Sequence, residues 1–180
     1  MSASEWLQFF EELGACRVLN VCLSGGEPFI RDDLRELLSS IVQHHMRFTI
    51  LSNGSLITND VAAFIAATGR CDQVQISLDG SCAAIHDTFR GAGSFDGAVR
   101  GVRTLQRHGV PVSVRLTVHR RNVNDLEAAA DFVLNVLHIP AMGTNAASHL
   151  GSCAERERDI ALTVEDRRRA MQSLLHIRQK

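Results

Sequence analysis

Along the chain, stretches with an apolar residue every three or four positions alternate with short, nearly continuous apolar runs. The first spacing predicts helices packed on one side, the second predicts strands buried in a parallel sheet. Trp6, Phe9, Phe10 and Leu13 form a helical stripe that Gly14 ends, and residues 17–23 read as the first strand, followed by a turn at 24–28. Asp32 or Asp33 is expected to cap a helix burying Leu34, Leu37, Leu38, Ile41 and Val42. Residues 48–51 form a second strand running into Ser52-Asn53-Gly54, and Asn59 opens a helix with Val61, Phe64 and Ile65 inward, closed near Gly69. A third strand over 73–78 runs into Asp79-Gly80.

The second half continues the rhythm. Residues 86–91 (His-Asp-Thr-Phe-Arg-Gly) read as a polar loop, after which Ser94 starts a helix with Phe95, Val99, Val102 and Leu105 inward, stopped by Gly109. A strand is expected over 110–118. Asn124-Asp125-Leu126-Glu127 resembles a capping box for a helix reaching about 137, and residues 140–145 give a fifth, weaker strand. Thr163 to Asp166 opens a last helix carrying Met171, Leu174 and Leu175. Strands separated by helices of this length imply βαβ units in one α/β domain. In such folds ligands bind beyond the carboxyl ends of the strands. Four polar clusters fall there: 24–28, 52–54, 77–80 and the end of 110–118.

Charge adds a bias but no partner. Residues 1–90 carry 6 Arg against 11 acidic residues, while residues 91–180 carry 12 Arg and Lys180 against 9. No basic stripe with interleaved aromatics accompanies the surplus, so no nucleic-acid partner is indicated; Arg167, Arg168 and Arg169 read as a solvated helix face. No apolar run approaches the roughly 20 residues of a membrane span. The opening Met-Ser-Ala-Ser-Glu lacks a signal-peptide pattern, which makes the cytoplasm the expected location. The five cysteines (16, 22, 71, 82 and 153) and eight histidines show no compact metal-ligand spacing. The cysteines are expected to be mostly buried small hydrophobes, Cys22 among them.

Each polar cluster carries two readings. Gly25 and Gly26 let a backbone approach a ligand closely, and Glu27, fixed by Pro28, suits an ammonium group; the plain alternative is a tight turn. Asp79 after a strand can accept ribose hydroxyls or simply stabilise a turn, and Asn53-Gly54 has the same ambiguity. Arg90 can grip a carboxylate or pair with Asp87.

Taken together, Leu23-Ser-Gly-Gly-Glu-Pro-Phe-Ile-Arg-Asp-Asp-Leu34, Ser52-Asn-Gly54, Ile76-Ser-Leu-Asp-Gly80, His86-Asp-Thr-Phe-Arg-Gly91, Gly93-Ser-Phe-Asp96 and Thr117-Val118 with Asn122 resemble the radical S-adenosylmethionine (SAM) enzymes. The resemblance is closest to the oxidoreductase branch with a SPASM extension, which includes peptide- and sulfatase-maturing enzymes, and it spans about residues 6–150. It implies a partial (β/α)6 TIM-type barrel over 1–150, with 151–180 as a helical segment leading toward an extension. It also implies a SAM site. Gly25, Gly26 and Glu27, with Pro28, match the segment that binds the methionyl amino group. Ser77 and Asp79 match the ribose region, Arg90 matches a partner for the methionyl carboxylate, and Asn53 and Thr117 lie at rim positions. A peptide or protein substrate and an electron donor are the implied partners.

One departure stands against the family pattern. The family holds a [4Fe-4S] cluster with Cys-x-x-x-Cys-x-x-Cys after its first barrel strand, and the chain starts at the helix that would follow that loop. The expectation is an incomplete barrel lacking its first strand and cluster loop, inactive alone, with an apolar sheet edge beside residues 17–23. The [4Fe-4S] cluster would belong to a longer form. Two alternatives stay open: a non-catalytic SAM- or peptide-binding module, and an unrelated aldolase-like barrel using Glu27 and Asp79 as acid and base. Lys180 as the sole lysine removes a Schiff-base version of the latter. Residues 144–151 are the expected place for a substrate to meet the barrel.

Overall fold

The computed structural model describes residues 1–147 and 160–178. Five strands follow in the sheet order β1-β2-β3-β4-β5: Asn20–Leu23, Arg47–Ser52, Cys71–Ser77, Val112–Val118 and Met142–Ala146. The pairs β1–β2, β2–β3 and β4–β5 are parallel. Helices α1 (Ala3–Ala15), α2 (Leu34–Gln43), α3 (Asn59–Thr68), α4 (Ala83–Arg90), α5 (Ser94–Arg107), α6 (Leu126–Asp131) and α7 (Val164–Arg178) complete the described α/β pattern. The chain forms two compact units, one from Met1–Ile76 with Gly97–Val112, the other from Ser77–Asp96 with Ser113–Lys180.

In the first unit, α1 opens on a capping box in which Ser2 and Glu5 satisfy each other's backbone N–H groups. Its stripe seats Phe10 in the core and stacks Trp6 against it at 5.7 Å, while Phe9 stays 41% exposed. Helix α2 buries Leu34, Leu37, Leu38 and Ile41 as the spacing predicts, while Val42, expected with them, is half-buried. Asp33 makes no cap bond, because its carboxylate is held by Arg31 at 2.6 and 2.8 Å. Strand β2 alternates cleanly, burying Phe48, Ile50 and Ser52. Each of the two apolar side chains contributes about 1.5–3 kcal/mol of transfer free energy. Helix α3 is capped by Thr58 rather than Asn59, with Val61 N–H donating to the Thr58 hydroxyl. Helix α5 comes so close to the turn after β2 that a Cβ at Gly101 would sit 2.4 Å from the Gly54 carbonyl oxygen, and Gly54 itself has φ +81°. Two glycines are therefore required at this crossing.

The first strand is shorter than its apolar run. Arg17 takes a left-handed φ of +58°, which turns the chain before β1 can begin, and the strand spans only Asn20–Leu23 at the end of the sheet order. Residues along it alternate exposed and half-buried, and Leu19 is 81% exposed. Cys22, expected in the core, is exposed for the same reason, and so are Cys16 and Cys82; Cys71 is half-buried. Burial pushes the Cys71 thiol up to about 12.

In the second unit, Leu116, Val118, Val123, Leu126 and Ala129 form a core with Ala170 of α7, and Met142, Leu162 and Ile177 pack against it. Four expectations change here. The segment around His86 is a helix rather than a loop, since Ala83, Ala84, Ile85 and Phe89 complete an amphipathic turn around a buried His86. The capping box at 124–127 does not form: Asn124 Oδ1 accepts from Arg169 at 2.7 Å, and the Asp125 carboxylate, at the helix start, accepts from the Ser81 N–H and hydroxyl, both at 2.7 Å. Helix α6 then passes into a π-turn over Phe132–Val136 instead of continuing as α-helix. At α7, Thr163 and Asp166 cap each other, but Met171 and Leu175 are more than half exposed, and the helix seats Ala170 and Ile177 instead. Cys153, Lys180 and residues 148–151 of the expected substrate segment lie outside the described residues.

Candidate functional site

The first unit positions Glu27 by a chain reversal at the end of β1. Gly25 has φ +134°, a conformation that only glycine adopts without strain, and a Cβ on Gly25 or Gly26 would meet nothing within 4 Å. The backbone of this turn is therefore open to an incoming group. Glu27 follows in extended conformation and caps the short 3₁₀ turn Pro28–Ile30, with Pro28 buried beneath it. Its Oε1 accepts from the Ser52 hydroxyl at 2.8 Å and the Phe29 N–H at 3.2 Å, and its Oε2 accepts from the Asn53 N–H at 2.8 Å. A carboxylate accepts about four hydrogen bonds, so one acceptor direction is left. Ser52, 4% exposed, is itself fixed because its oxygen accepts the Gly54 N–H. Asn53 spends its side-chain oxygen on the Ser55 N–H and hydroxyl, so it contributes a backbone donor to Glu27 and shapes the turn. Beside Glu27 runs a groove of about 480 Å3 whose lining includes Trp6, Phe10, Leu23, Gly26 and Pro28. The local chemistry suits a cation attached to an apolar body.

The second unit builds around Asp79. Its carboxylate is fully enclosed. Oδ1 accepts from the Thr117 N–H at 2.7 Å and Oδ2 from Arg90 Nε at 2.5 Å. The Asp79 N–H donates to His86 Nδ1 at 2.9 Å, and its carbonyl accepts from Asn122 Nδ2 at 2.8 Å. That same amide donates to the Thr117 carbonyl at 2.9 Å, and Asn122 Oδ1 accepts from the His119 N–H at 2.8 Å. The Arg90 side chain keeps 26% of its surface in solvent. Ser77 ends β3 half-buried, and the Thr117 hydroxyl lies 3.5 Å from Asn145 Oδ1. Two histidines flank the cluster, and burial holds both below the ordinary histidine range. His119 Nδ1 accepts the Arg121 N–H at 3.2 Å, its ring lies 4.5 Å from that of Phe89, and its buried Nε2 has no hydrogen-bond partner among the described residues.

Thus the structure joins Glu27 to Asn53 in one unit, and Asp79 to Arg90 and Thr117 in the other. Arg90 pairs with Asp79 and not with Asp87. The Asp87 carboxylate instead collects the Phe95 N–H at 2.8 Å, the Gly93 N–H at 2.7 Å and the Ser94 hydroxyl at 3.0 Å, and these donors, Phe95 first, hold it below the usual carboxylate range. Asp79, read from sequence as a ribose acceptor, faces inward with each oxygen bonded within the protein. Sequence reasoning missed Ser52, His119 and the Ser81–Asp125 pair. Ser52 was legible as part of Ser-Asn-Gly, whereas Ser81 and Asp125 lie 44 residues apart with no shared pattern.

Two fits can be tested against these residues. In the first unit the open Gly25-Gly26 turn with Glu27 suits an ammonium group, and in the second unit the Arg90 guanidinium suits a carboxylate. A [4Fe-4S] cluster does not fit: among the described residues no three His, Cys, Asp or Glu side chains gather around a common point. No helix among the described residues is long and apolar enough to cross a membrane.

The profile of the radical SAM superfamily matches residues 1–133. Mycofactocin maturase MftC of Mycobacterium tuberculosis is 40% identical over 131 residues, covering 72% of this chain and 33% of that protein. Fe-coproporphyrin III synthase of Methanosarcina barkeri is 35% identical over 134 residues, covering 74% and 33%. The chain thus spans about a third of the length of these relatives. Among solved structures, native anSMEcpe with bound AdoMet superposes with a TM-score of 0.81 at 15% identity, covering 98% of this chain and 51% of that one. Streptococcus suis SuiB bound to S-adenosylmethionine gives 0.78 at 18% identity, covering 99% and 41%. These two likenesses show a shared α/β partial-barrel fold.

Proposed function

The chain belongs to the radical SAM superfamily, and on that premise we propose that it is the SAM-binding part of a maturase-type radical SAM enzyme acting on a peptide or protein. The observation that carries this reading is the turn after β1: two glycines leave the backbone open while Glu27 is fixed by three donors with one acceptor direction to spare. In this reading Glu27 receives the methionyl ammonium, with Gly25, Gly26 and Pro28 shaping its approach and Asn53 holding the carboxylate in register. Arg90 receives the methionyl carboxylate. Ser77 and Thr117, at the ends of β3 and β4, are the groups offered to the nucleoside. SAM, when bound, supplies the deoxyadenosyl group with which this superfamily abstracts hydrogen from its substrates.

The peptide substrate rests on the likeness to a mycofactocin maturase, and on a structural neighbour solved with AdoMet and a Kp18Cys peptide. An electron donor and a [4Fe-4S] cluster belong, in this reading, to the enzyme as a whole. Exposed thiols at Cys16, Cys22 and Cys82, free among the described residues, fit a reducing compartment, and a cytoplasmic location is part of the reading.

Calorimetric titration of the 180-residue chain with SAM tests the proposal. Binding that weakens about tenfold in Glu27→Ala, as loss of a charged hydrogen-bond partner predicts, is the expected result. Unchanged affinity removes Glu27 from the site, and no binding by the unaltered chain overturns the reading. Anaerobic reconstitution with iron and sulfide is expected to leave this chain without a stoichiometric [4Fe-4S] cluster; a cluster that forms and cleaves SAM would refute that expectation.

A further inference from the structure

A charged side chain with no exposed surface is costly, and it persists only where its partners are complete. Asp79 meets that condition. Thr117 N–H and Arg90 Nε take one carboxylate oxygen each, while His86 Nδ1 and Asn122 Nδ2 fix its backbone N–H and carbonyl. Four bonds to four residues fix Asp79 in place, and its lack of exposed surface leaves no face of it for a ligand. Arg90 is different. Among the described residues only its Nε is bonded, and a quarter of its side chain is exposed. An arginine held at Nε keeps the end formed by its two Nη atoms free, and that end has the geometry of a bidentate carboxylate clamp.

We propose that Asp79 is a positioning residue that locks the Arg90 guanidinium so that its Nη end receives the methionyl carboxylate of SAM, and that Asp79 touches no part of the nucleoside. This rests on the SAM-binding reading above. It departs from the ribose role that a carboxylate after β3 suggests in sequence. The arrangement works because a guanidinium already fixed loses less side-chain entropy when it binds an anion than a free one would.

The test compares two ligands on two proteins. SAM carries the carboxylate; 5′-methylthioadenosine has the same adenine and ribose without it. For the unaltered chain, calorimetry should show SAM binding more tightly than 5′-methylthioadenosine. In Asp79→Asn, which keeps the shape and removes the charge, SAM should weaken by about tenfold to a hundredfold while 5′-methylthioadenosine binds as before. Weakening of both ligands alike overturns the proposal, since it marks a ribose contact or a general structural role, and leaves SAM binding itself standing. Unchanged SAM affinity also overturns it. If the unaltered chain binds neither ligand, or 5′-methylthioadenosine alone, the SAM reading falls and takes the proposal with it. Should Asp79→Asn fail to fold, the Arg90 Nε–H signal in 15N NMR spectra of the unaltered protein decides. Slow exchange with water before ligand is added supports the clamp, and exchange as fast as in an exposed arginine refutes it.

Discussion

The two units hold their candidate residues by opposite means. In the first, Glu27 stands on a turn, half-exposed, and its neighbours are residues two, twenty-five and twenty-six positions away that donate mostly through backbone and a small hydroxyl. In the second, Asp79 is sealed, and it binds Arg90 and Thr117, eleven and thirty-eight residues away. Glu27 can therefore change partners at modest cost, whereas each partner lost by Asp79 leaves a buried group without its bond. A ligand-facing carboxylate and a load-carrying one share a chemical group and differ in what surrounds them.

That contrast can be broken most directly by deletion. Asp79→Ala leaves Arg90, Thr117 N–H and the strand end without their acceptor, and urea denaturation should register a loss of about 3–5 kcal/mol. Glu27→Ala removes one cap of a 3₁₀ turn, and the same measurement should show about 1 kcal/mol. Equal losses at the two positions would erase the distinction. Next in size is Gly101→Ala in the first unit, where the added Cβ would sit 2.4 Å from the Gly54 carbonyl oxygen; overpacking of this kind costs about 1–3 kcal/mol. The loss should be much smaller at Gly26→Ala, where a Cβ meets nothing within 4 Å.

A third comparison uses pH. Burial lowers the pKa of His86 and His119, both in the second unit. In the unfolded chain they titrate near 6.5, so below that value the unfolded state takes up protons that the folded state refuses. Their contribution is fully present above about pH 6.5 and is lost as pH falls toward the folded values. Denaturation midpoints should drop between pH 6.5 and 5, and a double His86→Gln, His119→Gln variant should flatten that slope. The smallest effect concerns reactivity. Cys71, with its thiol pushed up to about 12, should resist iodoacetamide at pH 8 while Cys16, Cys22 and Cys82 are alkylated, as peptide mass spectrometry would show. Rapid modification of Cys71 would mean that β3 opens.

The first unit was the more legible in sequence, and the reason is range. Helix α2 and strand β2 follow from the spacing of their own apolar residues, and Gly25-Gly26-Glu27 sits next to the strand that presents it. The partners of Glu27 are two backbone N–H groups and the hydroxyl of Ser52, which ends the neighbouring strand β2. What failed to show was decided elsewhere. Helix α4 buries a histidine where a periodic pattern expects a hydrocarbon, so its segment reads as a loop. The inward turn of Asp79 depends on Arg90 and on a strand made 38 residues later. Cys22 is exposed because β1 stands at the end of the sheet order, a fact of topology that composition does not carry. Capping was misplaced by one residue at α3 and diverted at α2 and α6, where arginine or serine competed for the capping carboxylate.

The interleaving of the two units has a consequence for synthesis. A ribosome delivers residues in order, yet the first unit needs Gly97–Val112 to be complete, and the whole of Ser77–Asp96 emerges before that stretch. Helix α5, which closes the first unit through Gly101, thus arrives only after Asp79 and Arg90 have been made. Until Thr117 follows them, the Asp79 carboxylate keeps its water and its rotational freedom. A carboxylate with no exposed surface in the folded protein therefore waits for two later segments before it can give up its water.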